Sequence, residues 1–300
     1  MQEFRYIEPK SLRRASQLLK EHKGEAKLIA GGVSLVALMK NRLVRPGVLV
    51  NIKAISGLDK ITFHQRNGLK LGPLVIHRRI ATDPQIRERF TLLAEAASQI
   101  GSPAIRNIAT AGGNLCHADP NGDLAPALLC LNARLKLMSA TGKRAVSVDE
   151  FCSDYYTTCL EPDEILAEIL VPAPLPESGG AYLKLKRSAT DMAVVQVAAC
   201  VIRDKKSNLC GAARIVLGSV GPYPILAKQA ADYLEGKDFS PEVVEQAAVL
   251  AAGQAQPNAD GRGSVDYKRE MARVYVKRAL KLAWQRAGGS DWGDARSVSA

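Results

Sequence analysis

The stretch KLIAGGVSLVAL, Lys27 to Leu38, sets a Gly-Gly pair inside a run that is otherwise almost wholly apolar. The residues before it, AKLI, read as a short buried strand. Those after it, SLVALMKNR, read as a helix with Ser34 placed to cap it. Gly31 and Gly32 then form a strand-to-helix turn. Glycine reaches φ > 0 and lets backbone N–H groups approach a ligand closely. Successive N–H groups in such a turn make an anion-binding nest, and a helix that starts at once adds positive partial charge. A second pair, Gly112-Gly113, lies in IATAGGNLCHADPNGDLAPALL, Ile108 to Leu129, flanked by the hydrogen-bonding side chains of Thr110 and Asn114. Two such turns folded against each other can hold two linked phosphates, which points to a dinucleotide. For either pair alone, a tight turn between packed elements is the plainer reading. A Rossmann site is disfavoured, because neither pair reads G-x-G-x-x-G and the strand VLVNI ends in Asn51 instead of an acidic residue.

Outward from these turns, SLRRASQLLKEH reads as a first helix capped by Ser11, and GVLVNI as a strand. KITFHQRNGLKLGPLVIHRRI reads as a hairpin about Asn67-Gly68. FTLLAEAASQI is a helix that stops at Gly101, and GSPAIRNIATAGGNL is an extended or looping approach to the second Gly pair. GDLAPALLCLN is a helix with Asp123 near its start, and ARLKLMSATGKRAVSVDEF is a second hairpin. The prolines and glycines of VPAPLPESGG, Val171 to Gly180, mark a linker. Beyond it come long strands of an antiparallel sheet, a helix capped by Ser240 and a basic helix from Asp266. The tail GGSDWGDARSVSA lacks periodicity. The fold class is mixed α+β, with an α/β front and an α+β rear.

Composition narrows the function. The chain has 300 residues, 47% of them hydrophobic but only 5% aromatic, so the core must be built from Ala, Leu, Val and Ile. The N-terminus has no signal-peptide pattern, and the longest apolar run is too short to span a membrane, so a cytoplasmic location is expected. The six cysteines form no C-x-x-C pair and read as free thiols, with no metal site. The net charge of +11 is concentrated in YKREMARVYVKRALKLAWQR, whose Met271, Val274, Leu280 and Ala283 recur at helical spacing; it reads as a solvated helix face, not a nucleic-acid surface. There is no Ser-His-Asp set or H-x-x-x-H. His22, His64, His77 and His117 are scattered and read mostly as surface residues, with His117 a minor candidate beside the second turn.

LIAGGVSL and IRNIATAGGNLCHADPNGDLAPALL, followed by YTTCLEPDEILAEILVP, YLKLKRSATDMAVV and DGRGSVDYKREMARVYVKRAL, closely resemble the FAD subunits of molybdenum hydroxylases. These are the medium subunits of the xanthine dehydrogenase and aerobic carbon monoxide dehydrogenase family. The resemblance covers almost the whole chain. It implies a PCMH-type FAD-binding domain over residues 1–175, with subdomains of about 1–57 and 58–175. A C-terminal α+β domain over 176–287 and a disordered tail over 288–300 would follow.

Carried over residue by residue, the resemblance places the pyrophosphate of FAD against Ile29, Ala30, Gly31, Gly32, Val33, Ser34 and Leu35, chiefly on backbone N–H groups. Thr110, Ala111, Gly112, Gly113 and Asn114 would form the other half of the cradle. Asp123 matches an aspartate that hydrogen-bonds the sugar-like portion, and Leu166 a residue that packs on the ring system. Lys186, with Lys184 as the lesser choice, matches a cation near the isoalloxazine, and Gly101 would sit near the cofactor. Met192 stands where some relatives carry Tyr near the flavin. FAD is expected to be non-covalent, since no histidine adjoins either Gly pair in the position used for attachment elsewhere. The resemblance further implies that a molybdopterin-binding large subunit oxidises a substrate and that [2Fe-2S] clusters of a small subunit carry the electrons onward. This chain would pass them to NAD+, a quinone or another acceptor, within a dimer of heterotrimers. It would hold no catalytic acid–base pair of its own.

Overall fold

The computed structural model describes residues 2–289; the expected disorder of the tail therefore lies almost wholly outside the described residues. The chain opens with β1 (Arg5–Ile7), α1 (Leu12–Glu21), β2 (Ala26–Ile29), α2 (Val33–Lys40) and β3 (Val48–Asn51). The three strands pair in parallel in the order β1-β3-β2. Ser11 caps α1 by accepting from the Arg14 N–H, and Ala15, Ser16, Leu18 and Leu19 form its buried stripe. β3 is the central strand and is buried throughout. β2, expected to be buried, is a half-buried edge strand, because the side away from β3 has no strand partner.

A second unit follows: β4 (Ile61–His64), β5 (Gly68–Leu71), α3 (His77–Thr82), α4 (Pro84–Arg89), α5 (Thr91–Ser98), α6 (Pro103–Arg106), α7 (Ala111–His117) and α8 (Leu124–Cys130). It continues through β6 (Arg134–Met138), β7 (Lys143–Ser147), α9 (Val148–Phe151), β8 (Cys152–Asp154), β9 (Thr157–Thr158) and β10 (Ile165–Val171). β10 is the middle strand of a five-stranded antiparallel sheet, β4-β5-β10-β6-β7. The hairpin at Asn67-Gly68 forms, but its loop is residues 65–67: His64 pairs with Gly68, whose φ of 77° takes up the left-handed position after the turn. Two expectations fail here. HRRI opens the helix α3 and is not the end of a hairpin: the apolar Ile80 returns about one helical turn after His77, and both are buried. The second Gly pair is not in a loop. It lies in the first turn of α7, whose N-cap Thr110 accepts from the Gly113 N–H.

After residues 172–177, the rear of the chain forms β11 (Ser178–Leu185), β12 (Val195–Arg203), β13 (Cys210–Gly218), β14 (Ile225–Leu226), α10 (Lys228–Leu234), α11 (Pro241–Gly253) and α12 (Val265–Arg286). The strands form one antiparallel sheet in sequence order. It is buried on both faces. Ala181, Val195, Val197, Ala199 and Val201 share a core with α12, on which α11 packs in turn. Tyr182, Ala198 and Val216 join the core of the second unit, beside Leu92 of α5 and Leu128 of α8. Side chains alternate along a strand, so Tyr182, Lys184 and Gln196 all point forward. The basic α12 buries Ala272, Val276, Ala279, Leu280 and Ala283, a stripe rotated from the expected Met271–Val274 edge because it must face two long strands. Its charges are paired: Lys277 reaches Glu245 at 3.0 Å, and Arg286 bonds Glu95 on α5.

Candidate functional site: a cavity between two glycine turns

The two Gly pairs meet. A Cβ built on Gly31 would lie 2.2 Å from the Ile108 carbonyl oxygen, so the first turn presses directly on the backbone leading into the second. Between and beside them runs a cavity of about 580 Å3, within the usual span of small-molecule and cofactor sites, roughly 300–1000 Å3. Residues 30–35 line it, as do Gly101, Thr110, 112–114, Asp123 and Leu166. Three nominated residues do not. Ile29 ends the half-buried β2. Ala111 is fully buried, under α7. Lys186 lies one residue past β11, and its Nζ donates to the Ala189 carbonyl at 3.0 Å. Met192 and His117 also line the cavity, and His117 stands 5.3 Å from the Tyr156 ring.

The two turns differ in what they can offer a ligand. Gly32 is the N-cap of α2, with φ 78° and no side chain to accept the first N–H groups of the helix. Those groups have no carbonyl one turn back. Ser34 is therefore not the cap; it sits one residue into the helix and lines the cavity wall. The second turn is already satisfied. The N–H of Ala111 donates to Val75 at 2.8 Å, that of Gly112 to Pro73 at 2.8 Å, and that of Asn114 to Thr110 at 2.9 Å. The Gly113 N–H donates to the Thr110 hydroxyl at 3.1 Å. An anion here would meet donors on one side and a close-fitting backbone wall with the Asn114 amide on the other.

Asp123 is buried and does not cap α8. Its carboxylate accepts from the Tyr182 hydroxyl at 2.7 Å, from the Gln196 amide at 3.2 Å and from Lys184 Nζ at 3.0 Å. Burial pushes its pKa up, and the Lys184 charge and the hydrogen bonds pull it down. Lys184, the lesser sequence candidate, is thus the buried cation at this wall, and its charge together with burial lowers the pKa of Lys186. The resemblance offered Lys186 first and Lys184 second. What separates them is that β11 ends at Leu185.

Sequence reasoning missed His77. It is fully buried, not a surface residue, and it lines the cavity. Neither ring nitrogen has a hydrogen-bond partner among the described residues. Burial first, and the nearby Arg106 charge second, hold its pKa down at about 4, so the imidazole is neutral near pH 7. A lone histidine in an apolar segment gives no sequence signal for this. Among the described residues, no group of three His, Cys, Asp or Glu side chains is placed to hold a metal ion.

Residues 2–174 match the family described as the FAD binding domain in molybdopterin dehydrogenase, and 180–283 match the CO dehydrogenase flavoprotein C-terminal domain. The chain belongs to the FAD-binding subunits of the molybdopterin dehydrogenases. The carbon monoxide dehydrogenase medium chain of Hydrogenophaga pseudoflava is 37% identical to this FAD subunit over 94% of its length and 98% of the relative's. Subunit alpha of the 6-hydroxypseudooxynicotine dehydrogenase complex of Paenarthrobacter nicotinovorans is 32% identical, with 95% of each chain covered. Among solved structures, the Hydrogenophaga carbon monoxide dehydrogenase superposes with a TM-score of 0.91, covering 95% of this chain and 98% of the other. Quinoline 2-oxidoreductase of Pseudomonas putida 86 gives 0.89 at 32% identity, with coverage of 95% and 98%. The expected family and the mixed α/β architecture are borne out. No helix among the described residues is long and apolar enough to cross a membrane.

Proposed function

We propose that this chain is the electron-carrying FAD subunit of a three-subunit molybdenum hydroxylase. In this reading a large partner binds the molybdopterin and the substrate, a small partner holds [2Fe-2S] clusters, and this chain relays electrons to an acceptor such as NAD+ or a quinone. Three such trimer components would assemble twice, as a dimer of heterotrimers. The observation that carries the reading is the cavity itself, lined both by the uncapped helix start at Gly32–Ser34 and by Gly112 and Gly113 of the second turn, inside a matched FAD domain.

Bound FAD would supply an acceptor able to take electrons one or two at a time. The residues of this chain bind and orient it. The N–H groups at Gly32, Val33 and Ser34 lie where an anion is favoured, at a helix start, and would hold the pyrophosphate. Gly113 faces the cavity, and a Cβ there would lie 4.0 Å from that of Ala30, so glycine keeps the gap between the turns open. Asp123, fixed by Tyr182, Lys184 and Gln196, keeps one lone pair, on Oδ2, to accept from a sugar-like hydroxyl. Leu166, on β10, and Met192 would pack on ring faces. Lys184, behind Asp123, holds that carboxylate in place through the buried ion pair. No acid–base pair of this chain is required. The division into 1–175, with subdomains 1–57 and 58–175, and 176–287 follows the same reading.

The visible spectrum of the purified chain tests the proposal. Flavin absorbance, as isolated or after adding FAD, is the expected result, with flavin released by denaturation because it is not covalently held. Absence of flavin in both conditions overturns the reading. Reduction of the flavin by a substrate in the isolated chain would favour a free-standing oxidase instead.

A further inference from the structure

We propose that His77 is a cofactor-contacting residue, whose neutral imidazole makes hydrogen bonds to FAD held in the cavity. The inference rests on the reading that FAD is the ligand of this cavity. Three observations on this chain carry it. The side chain is fully buried, yet it lines the cavity and not only the core. Both of its ring nitrogens lack a partner among the described residues. Its backbone is fixed against the second glycine turn, through the His77 N–H to the Ala109 carbonyl at 3.1 Å and a bridge between Ile76 and Thr110.

Buried polar atoms are nearly always paired, and leaving one unpaired costs about 1–3 kcal/mol. A neutral imidazole carries one donor and one acceptor. A histidine kept in an apolar wall with both unused is therefore explained when the cavity holds a ligand that presents an acceptor and a donor. FAD does so along its ribityl hydroxyls and along the polar edge of its ring. The preceding carbonyls of Pro73 and Val75 accept from the Gly112 and Ala111 N–H groups at 2.8 Å, and neither ring nitrogen of His77 has a partner among the described residues. The same segment thus serves two ends: its carbonyls accept from the second turn, and its histidine lines the cavity with both ring nitrogens unpaired among the described residues.

The test uses the full chain stripped of FAD, with wild type, His77→Leu and His77→Gln compared by FAD titration, thermal midpoint and side-chain histidine NMR. His77→Leu should bind FAD about tenfold more weakly while its FAD-free thermal midpoint stays at or above that of wild type, since an unpaired polar group has been removed. His77→Gln, which keeps a donor and an acceptor, should recover most of the affinity. The ring nitrogens of His77 in wild type should shift on FAD addition. Equal FAD affinity in wild type and His77→Leu overturns the proposal. So does a weakened affinity in both variants that merely follows a lowered FAD-free midpoint, which marks a packing role. A wild-type chain that binds no FAD overturns the reading of the cavity as well, and so separates the two failures.

Discussion

The two glycine turns look alike in sequence and differ in almost every physical respect. The first sits between an edge strand and a helix of eight residues, and its N-cap has no side chain. The second sits inside a capped helix, with its N–H groups paired to Pro73, Val75 and Thr110. The four glycines also have four different reasons. Gly31 is required by the Ile108 carbonyl, 2.2 Å from where a Cβ would be. Gly32 is required by its φ of 78°. Gly112 is required by Pro73, whose Cβ would lie at 2.6 Å. Gly113 lines the cavity with neither a positive φ nor a backbone obstacle, the nearest atom to an added Cβ being the Thr110 hydroxyl at 2.8 Å. So a repeated dipeptide does not signify a repeated function. One turn is a donor array, and the other is a wall made by packing two backbones closely.

Substitutions can break this contrast. The largest effect is expected for Gly31→Ala, since the obstacle is rigid backbone of the other turn. It should lower stability by about 3 kcal/mol and weaken FAD binding at the same time, measured by denaturant unfolding and FAD titration. An unchanged stability would mean that the turns do not touch.

Next in size is a pH effect at the floor of the second turn. His77 is held at about 4, below its unfolded value of 6.5, so the unfolded chain binds more protons between these values and stability falls as pH drops through that window. From pH 6.5 to 5 the loss from this residue should be about 2 kcal/mol. It should be absent from the difference between pH 7 and pH 5 unfolding curves of His77→Leu.

Gly32→Ala forces an alanine into the left-handed region and should cost about 1–2 kcal/mol, with the rest of the fold intact by circular dichroism. Smallest in stability, and most telling for the site, is Gly113→Ala. It should cost about 1 kcal/mol through the disturbed Thr110 cap. Yet it should reduce FAD affinity by about tenfold or more, read by titration, because the added methyl narrows the gap between the turns. If Gly113→Ala binds FAD as wild type does, the wall is not a contact surface.

Much of the architecture was legible in local pattern. Ser11 and Ser240 cap their helices where the spacing of apolar residues placed the helix starts. Asn67-Gly68 marks its hairpin, and the long strands of the rear sheet stand where they were expected, with the structure supplying the register that pairs Lys184 with Gln196. The linker expected over Val171 to Gly180 is shorter, residues 172–177, because Val171 ends β10 and Ser178, Gly179 and Gly180 pair in β11. What failed were elements whose signal is short or ambiguous. α3 and α7, of six and seven residues, have too few turns for a periodicity to emerge, and α7 begins with glycines that read as loop.

By itself, the sequence determined where the chain can turn, which helices start at which caps, which strand faces are apolar and to which family the chain belongs. These are properties of neighbouring residues, or of motifs in fixed order. Only the tertiary structure decided why Gly31 and Gly112 must be glycine, which lysine is buried on Asp123, and that His77 is left unpaired in a cavity wall. Each of these depends on an atom contributed from elsewhere in the chain: the Ile108 carbonyl, the Pro73 ring, the end of β11, or the absence of a partner where one would be expected. Burial and pairing are properties of the packed whole, and a one-dimensional pattern cannot state them.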